Sequence, residues 1–204
     1  MRLGFLISGS ASHVLAVAEA IRSGELPGCE IAIVVCNIPG AKGAEDTRAA
    51  GLQTVTMEGR GREQRDHEDA IDALLRRMRV DVVCLAGYLR VLSTAFVRRW
   101  PGKVLNVHSS LLPAFPRVHA VSAALEFGAR VTGCTVFLLD ESVEGGTVVE
   151  QRAVHVEDED TEPTLAARLL LEEHAAYVES IRKVLSGEYG VVGRRYLKLQ
   201  SQPA

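Results

Sequence analysis

The chain has 204 residues, 47% of them hydrophobic and 24% charged, with a formal net charge of −3. That composition suits a globular protein of one domain, or one domain with an extension, with enough chain for a sizeable core. Scattered basic residues and few aromatics argue against a nucleic-acid surface, and no apolar run approaches the roughly 18 residues that a membrane span needs. Residues 1–7 are too short for a signal peptide and the chain turns polar at Ser8. Short apolar runs then alternate with segments of helical period, and strands are expected at 2–7, 31–36, 53–57, 81–86, 103–108, 131–139 and 147–155. Three apolar stripes predict helices: Val14, Val17, Ala18 and Ile21; then Ile71, Leu74, Leu75 and Met78; and last Leu170, Tyr177, Ile181 and Val184.

Strands alternating with helices imply right-handed crossovers and a mostly parallel sheet. After about residue 130 the pattern changes, because two strands meet across residues 140–146 with no helix between them. The expected fold is therefore α/β: a Rossmann-like, mostly parallel twisted sheet flanked by helices, with an antiparallel C-terminal addition and a long C-terminal helix. Residues 201–204 read as a frayed tail. Cys29, Cys36, Cys84 and Cys134 show no CxxC spacing and lie mostly in apolar runs, as reduced core residues of a cytoplasmic protein do.

Four segments carry possible chemistry. The run Leu105-Asn106-Val107-His108 ends a predicted buried strand on an amide and an imidazole. Open α/β sheets place their chemistry at the carboxyl ends of strands. There Asn donates to a developing oxyanion and His moves a proton near neutral pH; the plain alternative is an Asn closing a strand and a His capping a turn. Ser8-Gly9-Ser10-Ala11-Ser12-His13, between the first strand and helix, suits either an anion at a helix N-terminus or an ordinary Ser-capped turn. It is neither a Walker loop nor a GxGxxG. Ala86-Gly87-Tyr88-Leu89-Arg90-Val91-Leu92 offers a close-approach Gly and apolar residues that could wall a flat ring, or a plain strand-to-helix turn. Asp140-Glu141-Ser142-Val143-Glu144-Gly145-Gly146 could position water or a cation, or simply be solvated. His108 and His119 are far apart, and neither HExxH nor HxH occurs, so the histidines give no metal site by spacing.

Taken together these segments resemble the folate-dependent formyltransferases, most closely the branch that formylates glycinamide ribonucleotide in purine synthesis. The resemblance runs from about residue 2 to 185. It rests on Leu6-Ile7-Ser8-Gly9-Ser10, on Leu85-Ala86-Gly87-Tyr88-Leu89-Arg90-Val91-Leu92-Ser93, and on Leu105-Asn106-Val107-His108 with Ser110-Leu111-Leu112-Pro113. Ala114-Phe115-Pro116, His119-Ala120, Thr132-Gly133-Cys134-Thr135-Val136 and Glu172-Glu173-His174 continue it in order.

The resemblance implies attack of a primary amine on the formyl group of 10-formyltetrahydrofolate, in one formyltransferase domain over 1–204. Its phosphate-binding, Rossmann-like half would span 1–100 and its catalytic and folate-binding half 101–190. Asn106 and a protonated His108 would stabilise the oxyanion of the tetrahedral intermediate. The family's third catalytic residue, an aspartate before Gly-Gly, corresponds to Glu144, which would support the imidazolium and order a proton-shuttling water. Ser10, Ala11, Ser12 and His13 would hold the phosphate of the acceptor and Glu173 its ribose hydroxyls, with Ser109, Arg117 and His119 also on the acceptor side. Tyr88, Leu89, Arg90, Val91, Leu92, Leu139, Asp140, Glu141 and Val143 would enclose the pterin. No metal is implied. The partners would be the small-molecule amine and folate, with no nucleic acid or membrane, in a cytoplasmic monomer or homodimer.

Several positions depart from the family pattern. Glu144 keeps the charge of Asp but moves it by about an ångström, and a misplacement of that size can cost on the order of a hundredfold. Arg117 stands where Gly is usual, Ser109 where Pro is usual, and Phe137 where His is common. Ala11 and His13 replace Gly and Asn. The changes cluster on the acceptor side while 85–93 is intact, which suggests a paralogue acting on a different small amine as the alternative. A hydrolase that passes the formyl group to water, and a catalytically impaired folate or nucleotide binder, are the remaining readings.

Overall fold

The computed structural model of the chain describes residues 1–141 and 145–199. The first half alternates strands and helices as expected: β1 (Arg2–Ile7), α1 (Ser12–Arg22), β2 (Glu30–Cys36), α2 (Lys42–Ala49), β3 (Thr54–Thr56) and α3 (Gln64–Arg77). β4 (Val82–Leu85), α4 (Thr94–Arg99), β5 (Val104–His108), α5 (Ala120–Phe127), β6 (Val131–Leu139), β7 (Gly146–His155) and α6 (Glu162–Ser186) follow, then β8 (Tyr189–Val192) and β9 (Arg195–Lys198). Helices α2, α4 and α5 have 8, 6 and 8 residues, about two turns, which is too little for a legible period.

Seven strands form one sheet in the order β3-β2-β1-β4-β5-β6-β7. The pairs β2–β3, β1–β2, β1–β4 and β4–β5 are parallel. Strands β6 and β7 are neighbours joined by only the residues 140–145. A parallel return needs a dozen or more residues, so β7 runs antiparallel to β6. The mostly parallel sheet with an antiparallel addition is thus as the sequence predicts.

The chain divides into two compact units, Met1–Asn106 with Leu138–Gly145, and Val107–Phe137 with Gly146–Ala204. In the first, the strand order reverses at β1, which has β2 on one side and β4 on the other. In open α/β sheets the crevice outside the carboxyl ends of the strands at such a point is where ligands bind, and the loops after β1 and β4 both start there. The core beneath is fully buried at Phe5, Leu6, Ile33, Val35, Ile71, Leu75 and Phe96. Each such side chain contributes about 1.5–3 kcal/mol by leaving water. The predicted α3 stripe supplies Ile71, Leu74 and Leu75 to this cluster, with Met78 at its margin.

In the second unit, α6 begins with a capping box in which Thr161 and Thr164 exchange side chain-to-backbone hydrogen bonds. The helix buries Leu165, Leu169, Ala176, Tyr177 and Ile181 and stops at Gly187. The antiparallel hairpin β8–β9 follows it, an element the sequence pattern does not announce. Its four-residue strands are too short to announce an alternation, and the stacking of Tyr189 on Tyr196, centroids 5.8 Å apart, is a cross-strand contact invisible in one dimension. The expected tail at 201–204 lies outside the described residues. All four cysteines are buried and unbridged. Among the described residues no helix is long and apolar enough to cross a membrane.

Candidate active site

The loop between β1 and α1 is held from both sides. Ser8 is buried, and its Oγ accepts the Leu89 N–H at 2.9 Å, tying the end of β1 to the turn after β4. Gly43 at the start of α2 donates its N–H to the Gly9 carbonyl at 2.8 Å, and a Cβ there would run into the backbone of Gly9, Ser10 and Ala11. Ala11 occupies the N-cap of α1 without a side-chain acceptor, and the first turn holds no acidic residue. Ser10 Oγ accepts from the Ser12 N–H at 3.2 Å. With no acidic residue in its first turn, the helix keeps the positive end of its dipole beside the exposed Gly9 and Ser10, which favours an anion. Ala11 is 2% exposed, so its methyl group belongs to the core and only its backbone can face a ligand. His13 lies half-buried on the same turn, its Nδ1 3.5 Å from Ser12 Oγ.

The turn after β4 starts at Gly87, whose φ of +68° is the left-handed conformation open to glycine. Leu89 and Val91 are 72% and 66% exposed, whereas Leu92 is buried in the core. Arg90 bends back and donates to the Gly59 carbonyl. Tyr88 packs at the margin of the core, and burial pushes its hydroxyl up to about 12, so it is a neutral donor at working pH. Leu139 packs against the same core. Glu141 pairs with Arg98 at 2.7 Å, and this exposed ion pair holds its carboxyl below the usual range. Asp140 is exposed beside it. Val143 and Glu144, both expected in the site, lie outside the described residues.

A cavity of about 670 Å³ lies at the carboxyl ends of β2 and β3, lined by Asn37, Ile38, Glu58 and Arg60 together with Leu89 and Arg90. Nothing in the sequence pattern singles out the 37–39 or 58–60 segments. The hydrogen bond from Arg90 to the Gly59 carbonyl brings them to the turn after β4.

Asn106 and His108 stand two residues apart on β5, so both side chains leave the same face of the strand, and both are half-buried. The ring nitrogen Nε2 of His108 lies 2.8 Å from the Phe115 carbonyl. A carbonyl can only accept, so Nε2 carries the hydrogen and Nδ1 is the position from which the ring can exchange a proton. The Phe115 carbonyl also accepts from Ser110 Oγ at 3.2 Å, and that hydroxyl lies 2.6 Å from the Ala114 carbonyl. Thr135 on β6 donates to the Ser110 carbonyl at 2.6 Å and accepts the Leu112 N–H at 3.0 Å. Gln151 on β7 donates to Thr135 Oγ1 and to the Leu112 carbonyl. A chain of hydrogen bonds from β7 through β6 thus fixes the loop whose carbonyl orients His108.

Phe115 (φ +46°) and His119 (φ +63°) both adopt the left-handed backbone, uncommon for residues with a side chain. Ser109 is half-buried, and residues 116–119, with Arg117 and His119, are exposed. Glu173 on α6 is 6% exposed and lies near Cys134, whose thiol burial first and the Glu173 charge second push up to about 12. Phe137, which replaces a His of the family pattern, is buried in β6. Among the described residues no group of three His, Cys, Asp or Glu side chains could hold a metal ion.

A family model described as formyl transferase matches residues 1–181. The human trifunctional purine biosynthetic protein adenosine-3 is 38% identical over 187 residues, covering 91% of this chain and 18% of that protein. This chain therefore spans under a fifth of the length of such multifunctional relatives. Phosphoribosylglycinamide formyltransferase of Bacillus subtilis is 33% identical over 179 residues, 87% of this chain and 91% of the relative. The crystal structure of glycinamide ribonucleotide transformylase 1 from Symbiobacterium toebii superposes with a TM-score of 0.93 at 37% identity, covering 98% of this chain and 94% of that one.

Proposed function

This chain belongs to the formyl transferase family, and from that premise we propose that it transfers the formyl group of 10-formyltetrahydrofolate to the primary amine of glycinamide ribonucleotide, a step of purine biosynthesis. The observation that carries the reading is β5, which delivers Asn106 and His108 from one strand face with the His ring oriented by the Phe115 carbonyl.

Attack of the amine on the formyl carbon converts a planar carbonyl into a tetrahedral centre and moves negative charge onto its oxygen. The Asn106 amide and a protonated His108 are donors for that charge, and a donor of this kind is worth about 3–4 kcal/mol of barrier. Collapse breaks the C–N10 bond of the folate. The attacking nitrogen, made cationic by the new N–C bond, must give up one of its own protons, and N10 must take one as it leaves; the carboxylate of Glu144 is our assignment for ordering the water that carries it. The uncapped start of α1 receives the acceptor's phosphate through backbone N–H groups, with Ser10, Ser12 and His13 around it. Ser109 and His119 belong to the acceptor side, and Glu173 serves its ribose hydroxyls. Tyr88, Leu89, Arg90 and Val91, with Leu139, Asp140, Glu141 and Val143, receive the pterin, while the buried Leu92 supports them from the core. We assign residues 1–204 to one formyltransferase domain, with the phosphate loop in 1–100 and the catalytic strand in 101–190. The protein works in the cytoplasm as a monomer or homodimer.

An absorbance assay with 10-formyltetrahydrofolate and glycinamide ribonucleotide, following release of tetrahydrofolate, tests the reading directly. Turnover that depends on the amine supports it. Formate release with no amine present makes the protein a hydrolase instead. A second reading, a different anionic amine as acceptor, is favoured by the exposed guanidinium of Arg117, which suits bidentate recognition of a carboxylate or phosphate. Donor binding without turnover of glycinamide ribonucleotide selects it.

A further inference from the structure

Among the buried titratable groups, Glu68 on α3 has no part in the proposed reaction. It is 3% exposed, and a carboxylate persists at such burial only when its oxygens are well hydrogen-bonded. Its Oε1 accepts from the Ser93 N–H at 2.8 Å and from Gln64 Nε2 at 2.9 Å, and its Oε2 accepts from the Ser93 hydroxyl. Gln64 Nε2 also donates to the Val91 carbonyl at 2.8 Å, so the two hydrogens of that amide serve the carboxylate and the turn. Ser93 Oγ, while donating to Glu68, accepts the Phe96 N–H at 3.1 Å and so caps α4.

One carboxylate and its neighbouring amide therefore fix residues 91–93, while Ser8 fixes the Leu89 N–H at the other end. Between these two clamps stand the exposed side chains of Leu89 and Val91. An exposed apolar pair on a backbone held at both ends is a surface prepared for a ligand. A loop that must order itself on binding loses affinity by that ordering, and one already ordered does not.

We propose that Glu68 is a positioning residue of the formyl-donor site, holding the 89–93 backbone so that Leu89 and Val91 are presented to the donor before it arrives. This rests on the reading that the turn after β4 receives folate. Glu68 acts through Ser93 and Gln64 and touches no reacting atom, so its loss weakens donor binding and leaves the bond-making step alone.

Steady-state kinetics of Glu68→Gln test this, since the substitution keeps the shape and exchanges an acceptor oxygen for a donor at Ser93. The KM for 10-formyltetrahydrofolate is expected to rise about tenfold. At saturating donor, kcat and the KM of the amine should stay within about twofold of wild type. Titration calorimetry with tetrahydrofolate should show the same loss of affinity, and hydrogen exchange of the Ser93 and Phe96 amides should quicken. Should Glu68→Gln not fold, Gln64→Met cuts only the tie to Val91 and its own bond to Glu68, with an expected rise in donor KM of about threefold. An unchanged donor KM, or a loss shared equally by kcat and both KM values, overturns the proposal. If the wild-type protein binds no tetrahydrofolate, the folate reading fails by itself. Amide exchange then decides the backbone-holding role: quicker exchange in Glu68→Gln sustains it, and unchanged exchange overturns it.

Discussion

Two strand-end loops of this protein are built in opposite ways. The turn after β4 is tied to three separate elements, through Ser8, Gly59 and the pair Gln64 and Glu68, and what it exposes is apolar. The loop after β5 is tied through Ser110, Thr135 and Gln151 as far as Phe115, and then runs exposed through residues 116–119, where Arg117, Val118 and His119 all face solvent. A ring-shaped donor common to a family needs a fixed apolar edge. Under the proposed function, the acceptor that distinguishes one member from another meets exposed chain, where a substitution costs little stability. The departures from the family pattern fall accordingly: none in 85–93, but Ser109 and Arg117 in the second loop.

The largest effect is expected at β5 itself. Replacing Asn106 or His108 by Ala should lower kcat by about 10²–10³ while tetrahydrofolate binds as before. Loss of folate binding in these variants would merge the two functions that the comparison separates. Next comes Thr135→Val, which removes a buried hydroxyl that donates to Ser110 and accepts from Leu112 and Gln151. Leaving such partners unsatisfied costs about 1–3 kcal/mol, to be read from urea denaturation, with a fall in kcat and an unaltered donor KM. A change confined to donor KM would contradict the role given to this chain of bonds.

Ser8→Ala tests the other loop. It removes the hydroxyl that binds the Leu89 N–H, at a cost of about 1 kcal/mol, near fivefold in donor KM, with kcat retained. The smallest effect concerns pH. Burial raises the Tyr88 hydroxyl to about 12, whereas an unfolded tyrosine ionises near 10. Between these values the unfolded chain binds fewer protons than the native one, so this contribution is complete below about pH 10 and is lost as pH rises toward 12. Tyr88→Phe should flatten thermal stability over that window. An unchanged alkaline slope would mean that Tyr88 is hydrated in the native protein.

By itself the sequence determined the α/β alternation, the strands and the long helix, because periods of two and 3.6 residues are local consequences of burying one face of each element. It also singled out Asn106 and His108, since two polar residues two apart at the end of an apolar run share a face on any strand. The family motifs extended this to Ser8 and to residues 85–93. Tertiary structure alone decided what holds them. Glu68 reads in the sequence as one more charge on an amphipathic helix, yet it is buried against Ser93, 25 residues away. Phe115 reads as an apolar loop residue, yet its carbonyl orients His108 from a left-handed backbone. The Leu89 N–H finds Ser8 only because the sheet order sets β1 beside β4. Each of these is a hydrogen bond between groups far apart in the chain or dependent on one loop conformation, and no local period encodes such a partner.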